Sequence, residues 1–165
     1  MKTMTRSLRI ALLSLLLLTS LAGCCLPYQN DMPFNGDVTF HELHVTIPTS
    51  FIRDSTQSHD ALWIFEHGNY EKLILLSRSE ISEDEQRELQ DYAELMQERG
   101  AAAQLTEFLG KGAVHSTYTL DGVFCQEMLF AHNGYFYAVA LRGGTEQEFT
   151  DLLASVSLVS ASVEM

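Results

Sequence analysis

The chain has 165 residues, with 22 acidic against ten basic side chains and a net charge of −12 when histidines are neutral. So acidic a surface repels phosphate backbones and anionic headgroups, which excludes nucleic-acid binding as a function. The length suits one domain that can bury a real core.

The first residues read as an address. Lys2, Arg6 and Arg9 form a positive segment with no acid before Asp31, and Ile10 to Leu18 is an apolar run broken only by Ser14. That run is shorter than the roughly 20 residues that span a bilayer, but it fits the core of a secretory signal. Leu21-Ala22-Gly23-Cys24 follows and matches the bacterial lipoprotein "lipobox" at every position. The match implies a signal peptide over residues 1–23, cleavage before Cys24, and a diacylglyceryl group on the Cys24 thiol. Two acyl chains anchor stably, at about 0.8 kcal/mol per buried CH₂, where one chain binds only marginally. The expected location is therefore the extracytoplasmic face of the bacterial cell membrane, with the membrane itself as a partner through the lipid on Cys24. An ordinary signal peptide with a coincidental cysteine, or an uncleaved anchor, is the competing reading.

Removing the leader leaves 142 residues, with seven basic against 22 acidic side chains and a net charge of −15. Residues 24–37 carry Pro27, Asn30, Pro33, Asn35 and Gly36 without periodicity and read as a lipidated tether. A single domain is expected over residues 38–165. Cys125 reads as a buried free thiol, with a bridge to Cys25 as the alternative.

The domain opens on a strand in which Leu43, Val45 and Ile47 alternate with Glu42, His44 and Thr46, ended by Pro48. Ala61–Glu66 and Tyr70–Ser77 read as a hairpin about Gly68-Asn69. A helix follows, with Ser82 as N-cap and Glu85 closing a capping box. Leu89, Tyr92, Ala93 and Met96 make its apolar stripe, and Gly100 is its C′ residue. Gly110-Lys111-Gly112 reads as a loop entering the next strand. Ala113–Leu120, Val123–His132 and Tyr135–Leu141 form a meander through Asp121-Gly122 and Asn133-Gly134, residue pairs suited to type I′ turns.

Two-residue turns would place Leu129, Ala131, Phe136, Ala138 and Ala140 on one face and Met128, Phe130, Tyr135, Tyr137, Val139 and Leu141 on the other. Both faces are apolar, so both need covering. The Ser82 helix offers one cover. A last helix, capped by Thr145 with Glu148 and presenting Phe149, Leu152, Leu153 and Val156, offers the other. The expected class is α+β, a mainly antiparallel sheet with helices on both faces.

This order of elements resembles the PsbP-like fold, shared by DcrB-type envelope lipoproteins. The resemblance covers roughly Phe40 to Leu158. It rests on the strand Leu43-His44-Val45-Thr46-Ile47-Pro48, the helix reaching Gly100, and the ending from Tyr135-Phe136-Tyr137 through Gly143-Gly144-Thr145 to Leu152-Leu153-Ala154-Ser155-Val156. Members of the group serve as accessory, scaffold or binding proteins, so the resemblance implies no catalytic residue.

The residues themselves offer little chemistry. His41-Glu42-Leu43-His44 lacks the spacing of a helical zinc motif, and in a strand the two histidines face opposite ways. Ser116 or Cys125 with His115 has no nucleophile signature around it. Glu80, Glu83, Asp84, Glu85, Glu88 and Asp91 lack the glycine and alternating oxygens of a calcium loop and read as a solvated helix face. Phe124, Phe130, Tyr135, Phe136, Tyr137 and Trp63 are mostly core, with a remnant that could line a ligand groove. The expectation is a non-enzymatic accessory or ligand-binding lipoprotein without metal or cofactor, its protein or small-molecule partner undefined. The alternative is a structural or assembly factor docking a membrane-protein partner.

Overall fold

The computed structural model describes residues 36–159. The expected leader, Cys24, Cys25 and all of the expected tether before Gly36 lie outside the described residues. The described elements run β1 (Asp37–Phe40), β2 (Leu43–Thr46), β3 (Ile52–Arg53), β4 (Leu62–His67), β5 (Lys72–Glu80), α1 (Glu85–Glu98), β6 (Ala102–Phe108), β7 (Lys111–Leu120), β8 (Val123–His132), β9 (Tyr135–Arg142), α2 (Glu146–Ala154) and β10 (Ser157–Leu158). Seven strands form one sheet in the order β3-β4-β5-β9-β8-β7-β6, and β1-β2-β10 form a smaller one. Every pairing between these strands is antiparallel.

The meander follows from its turns. Leu120 pairs with Val123 and His132 with Tyr135, so both loops have two residues. Asp121-Gly122 and Asn133-Gly134 all have positive φ, as a type I′ turn requires. With that register fixed, Leu129, Ala131, Phe136 and Ala138 pack under α1 against Leu89, Tyr92, Ala93 and Met96. Met128, Phe130, Tyr137, Val139 and Leu141 face the other way and pack with Phe149, Leu152 and Val156. The same layer holds Val38, Phe40, Leu43, Val45 and Ile47, so the small sheet and α2 share one face of the large sheet. The α+β class and the helices on both faces are as expected.

Several local expectations are corrected. Asp37, the last residue of the expected tether, opens β1, and the Gly36 carbonyl accepts from the Ile47 N–H at 2.6 Å. The loop after β4 has four residues, since His67 pairs with Lys72, and β5 starts at Lys72 rather than Tyr70. Gly68, Asn69 and Tyr70 all take positive φ there. The N-cap of α1 is Asp84, not Ser82: its Oδ1 accepts from the Arg87 N–H at 2.8 Å. Glu88 reaches back beyond the cap instead, accepting from the Ser82 N–H, the Ser82 hydroxyl and the Glu83 N–H. Gly100 (φ +85) ends the helix as expected, with Ala101 N–H bonded to Met96 O and Gly100 N–H to Gln97 O.

The edge strand β6 has no counterpart in the sequence reading. Only Ala103 in it is buried, so it lacks the alternation that marks a strand. Its turn into β7 is Leu109-Gly110, where a leucine occupies positive φ, so Gly110-Lys111-Gly112 spans a hairpin turn and the first residues of β7.

Candidate functional site

The strongest candidate site is a cavity of about 300 Å³ at the end of the large sheet where β5 begins and β9 finishes. Local backbone geometry builds it. Gly143 (φ +75) ends β9 so close to the β4–β5 loop that a Cβ there would lie 2.2 Å from the Glu71 carbonyl oxygen. This contact brings Lys72 beside the start of α2. Thr145 caps that helix, its hydroxyl accepting from the Glu148 N–H, while Glu148 accepts from the Thr145 N–H at 2.8 Å. The reciprocal capping box holds Glu148 in place for the Lys72 ammonium, 2.5 Å from Oε1. The Lys72 hydrogen bond, with those from Thr145, holds the Glu148 carboxyl down to about 2.

At the other end of α2 the Ser155 hydroxyl accepts from the Thr46 N–H at 3.2 Å and donates to Leu152 O at 2.7 Å, tying the helix to β2. The cavity between these ties has an apolar floor of Phe51, Ile74, Leu141 and Leu152, all buried. Its rim carries His67, Lys72, Glu148 and Asp151, with Thr46, Ser50 and Ser155. His67 Nδ1 lies 2.9 Å from the Ser50 carbonyl, which fixes the ring against Phe51 at 5.5 Å. Asp151 accepts from the Gln147 side-chain amide at 2.8 Å. An apolar floor with a few converging polar groups is the form of a small-ligand site.

A second polar group lies under α1. Glu127 is buried on β8, where its carboxyl accepts from the Tyr92 hydroxyl. Ser116 pairs across from it on β7, and Tyr118 pairs with Cys125 two residues along. The Ser116 and Tyr118 hydroxyls are buried without a hydrogen-bond partner among the described residues. Burial pushes the Cys125 thiol up to about 11, so it stays protonated and is a poor nucleophile. The Tyr92–Glu127 hydrogen bond in this group ties α1 to the sheet.

No family model matches the chain, and no curated protein matches it. Solved structures do match in shape. A crystal structure from Bacteroides thetaiotaomicron VPI-5482 aligns with 81% of this chain at a TM-score of 0.52 and 10% identity. The alignment takes in 52% of that protein, so this chain spans about half its length. The solution structure of cyanobacterial PsbP (CyanoP) from Synechocystis sp. PCC 6803 aligns with 82% of this chain and 98% of its own length, at a TM-score of 0.53 and 11% identity. The fold is PsbP-like. At such identities the likeness carries architecture and not function.

Within this PsbP-like frame the residues singled out in the sequence are scattered. Cys24 lies outside the described residues. His41 is in the β1–β2 turn with φ 55, not in a strand, and its Nε2 lies 2.6 Å from the Asp60 carbonyl. His44 is in β2, where Nδ1 lies 3.4 Å from the Thr39 hydroxyl. His115 stacks on Phe149 of α2, whereas Ser116 and Cys125 face α1, so neither pair meets. The acids around α1 are occupied at the helix start: Asp84 caps, Glu88 binds Ser82 and Glu83, and Arg87 lies 3.4 Å from Glu83 and 4.0 Å from Asp91. Among the described residues no group of three His, Cys, Asp or Glu side chains is placed to hold a metal.

The aromatic residues do not form a groove either. Phe130 and Tyr137 lie in one core layer and Phe136 in the other, while Phe124 is exposed. Trp63 and Tyr135 are half-buried, and each is covered by a guanidinium, Arg53 at 3.9 Å and Arg78 at 4.4 Å. Nothing in the sequence pattern singles out Lys72 on β5 or Asp151 on α2 as a site, and Ser155 enters only as part of the closing pattern. Glu148 was marked only as a cap. The one signal in the sequence was the dense pairing of a capping box with Gly143-Gly144 just before it.

Proposed function

We propose that this chain is the precursor of a bacterial lipoprotein of DcrB type, anchored through Cys24 on the extracytoplasmic face of the cell membrane. Its role on this reading is non-enzymatic, an accessory function exercised by binding a small ligand. The observation that carries the anchoring is the basic segment, the apolar run from Ile10 to Leu18 and Leu21-Ala22-Gly23-Cys24 in that order. The cavity between β2, β5, β9 and α2 supports the binding half. Replacing Cys24 by Ala should abolish labelling by radioactive palmitate and leave uncleaved precursor. Label on the Cys24→Ala protein would sink the assignment.

A second reading, an assembly factor that docks a membrane protein, is favoured by β6. Among the described residues it is a free edge of the large sheet, and Leu105 on it and Leu109 beside it are 51% and 39% exposed. Unpaired edges accept strands from partners. Under this reading Leu105→Lys would release a cross-linkable membrane-protein partner while leaving ligand binding in the cavity intact. Under the first reading it would change neither.

A further inference from the structure

The geometry points to a compact apolar cation as the ligand of the cavity, with its ammonium or amidinium group at Asp151 and its body over Leu152, Leu141 and Ile74. This rests on the ligand-binding reading above and names the chemistry of that same site. Two carboxylates and one full cation line the cavity, and they are not equivalent. Lys72 is already committed to Glu148 at 2.5 Å, so a ligand carboxylate would have to displace a formed ion pair to reach it. His67 has one ring nitrogen against the Ser50 carbonyl. Asp151 has only a neutral amide, Gln147, as its hydrogen-bond partner and no ion pair among the described residues.

The surplus charge at the mouth is therefore negative, next to an apolar floor that excludes water. The field of the chain without its leader, 22 acids against seven bases, adds to it by concentrating cations and repelling anions. Size narrows the ligand further. About 300 Å³ is at the small end of ligand sites, enough for one ring or a short alkyl group and too little for a two-chain lipid. A fully hydrophilic cation such as ammonium or a metal ion would leave the floor unused, so the ligand must carry an apolar body.

The test uses the intact lipidated chain in non-ionic micelles, titrated with 2-phenylethylammonium and separately with the matched anion 3-phenylpropanoate. Methyl NMR signals of Ile74, Leu141 and Leu152 report occupancy. The expected result is saturable shifts with the cation, at least tenfold weaker binding of the anion, and weakening on adding salt. Asp151→Asn, which keeps the shape of an exposed side chain, should raise the cation's Kd at least fivefold without moving the thermal midpoint. Equal binding of cation and anion, or no effect of Asp151→Asn, would overturn the charge assignment and leave the ligand-pocket reading standing. Failure of both probes to shift these methyls would overturn the inference and the ligand-pocket reading together.

Discussion

The Tyr92 hydroxyl on α1 donates a hydrogen bond to the Glu127 carboxyl in the middle of β8, and both side chains are almost wholly buried. The bond joins helix to sheet at a carboxyl that lies between Cys125 and Leu129 on that face of β8. Burial pushes the Glu127 carboxyl above its ordinary 4.5, and the Tyr92 hydrogen bond opposes that only in part.

A carboxyl with a raised native pKa holds its proton more tightly in the folded state than in the unfolded one. Its contribution to stability is therefore fullest below about 4.5 and is lost as pH rises through the native value. Glu127→Gln keeps the shape and an acceptor for Tyr92 but cannot ionise. Its urea midpoint relative to the parent should improve as pH rises above about 4.5 and level off once Glu127 has ionised in the parent. An advantage that does not grow with pH would mean that Glu127 ionises in the fold without penalty.

The Lys72–Glu148 pair has the opposite sign. Its carboxyl is depressed to about 2, so the stability it adds is present above roughly 4.5 and is lost as pH falls toward 2. The Glu148 side chain is 44% exposed, so water screens the pair and its coupling should be only about 0.5–1 kcal/mol. A double-mutant cycle of Lys72→Met and Glu148→Gln at pH 7 measures that coupling, and repeating it at pH 2.5 should shrink it. Coupling that is unchanged at pH 2.5 would show that the contact is packing and not charge.

The start of α1 gives a test of roles. Asp84→Ala removes the N-cap acceptor and should cost about 1 kcal/mol. Ser82→Ala leaves the backbone bonds in place and should cost less. Glu88→Ala should cost the most, about 2–3 kcal/mol, because three donors lose their acceptor at a buried position. Urea midpoints of the three variants give the order. If Ser82→Ala proved the worst, a capping box at Ser82–Glu85 would be restored.

Much of this fold was legible because it is local. Asp121-Gly122 and Asn133-Gly134 dictate their turn type, the turns fix the register, and the register sorts the residues of β8 and β9 onto two faces. Thr145 and Glu148 likewise announce a helix within four residues. What escaped was non-local or disguised. Leu109 hid a turn because leucine is rare at positive φ. The strand β1 hid at the start of the domain, with only Asp37 in the expected tether, because its partner β2 lies across an irregular turn at His41. Ser82 and Asp84 are both good caps, and the Arg87 N–H bond to the Asp84 carboxylate, with Glu88 taken up by Ser82, separates them. The cavity was invisible because its lining comes from β2, β4, β5, β9, α2 and the loop around Phe51. Glu127 could have been found, since it shares parity with Leu129 and Ala131 on a face already read as buried.

Two glycines with the same backbone separate strain from crowding. Gly134 has φ +78 and nothing within 4 Å of a built Cβ, while Gly143 has φ +75 and a Cβ that would meet the Glu71 carbonyl oxygen at 2.2 Å. Alanine at either position incurs the same left-handed strain, about 1–2 kcal/mol. Gly134→Ala should show only that, and Gly134→Val somewhat more, because a β-branched residue fits positive φ less well. Gly143→Ala must also push the β9–α2 turn off the β4–β5 loop, so its cost should exceed that of Gly134→Ala by about 2 kcal/mol or more. The same displacement would pull Glu148 away from Lys72, so Gly143→Ala should also abolish the pH dependence described for that pair. Urea unfolding of both alanine variants at pH 7 and pH 2.5 makes the comparison. Equal midpoints would mean that the turn does not rest on the loop, and the cavity that this contact builds would lose its support with it.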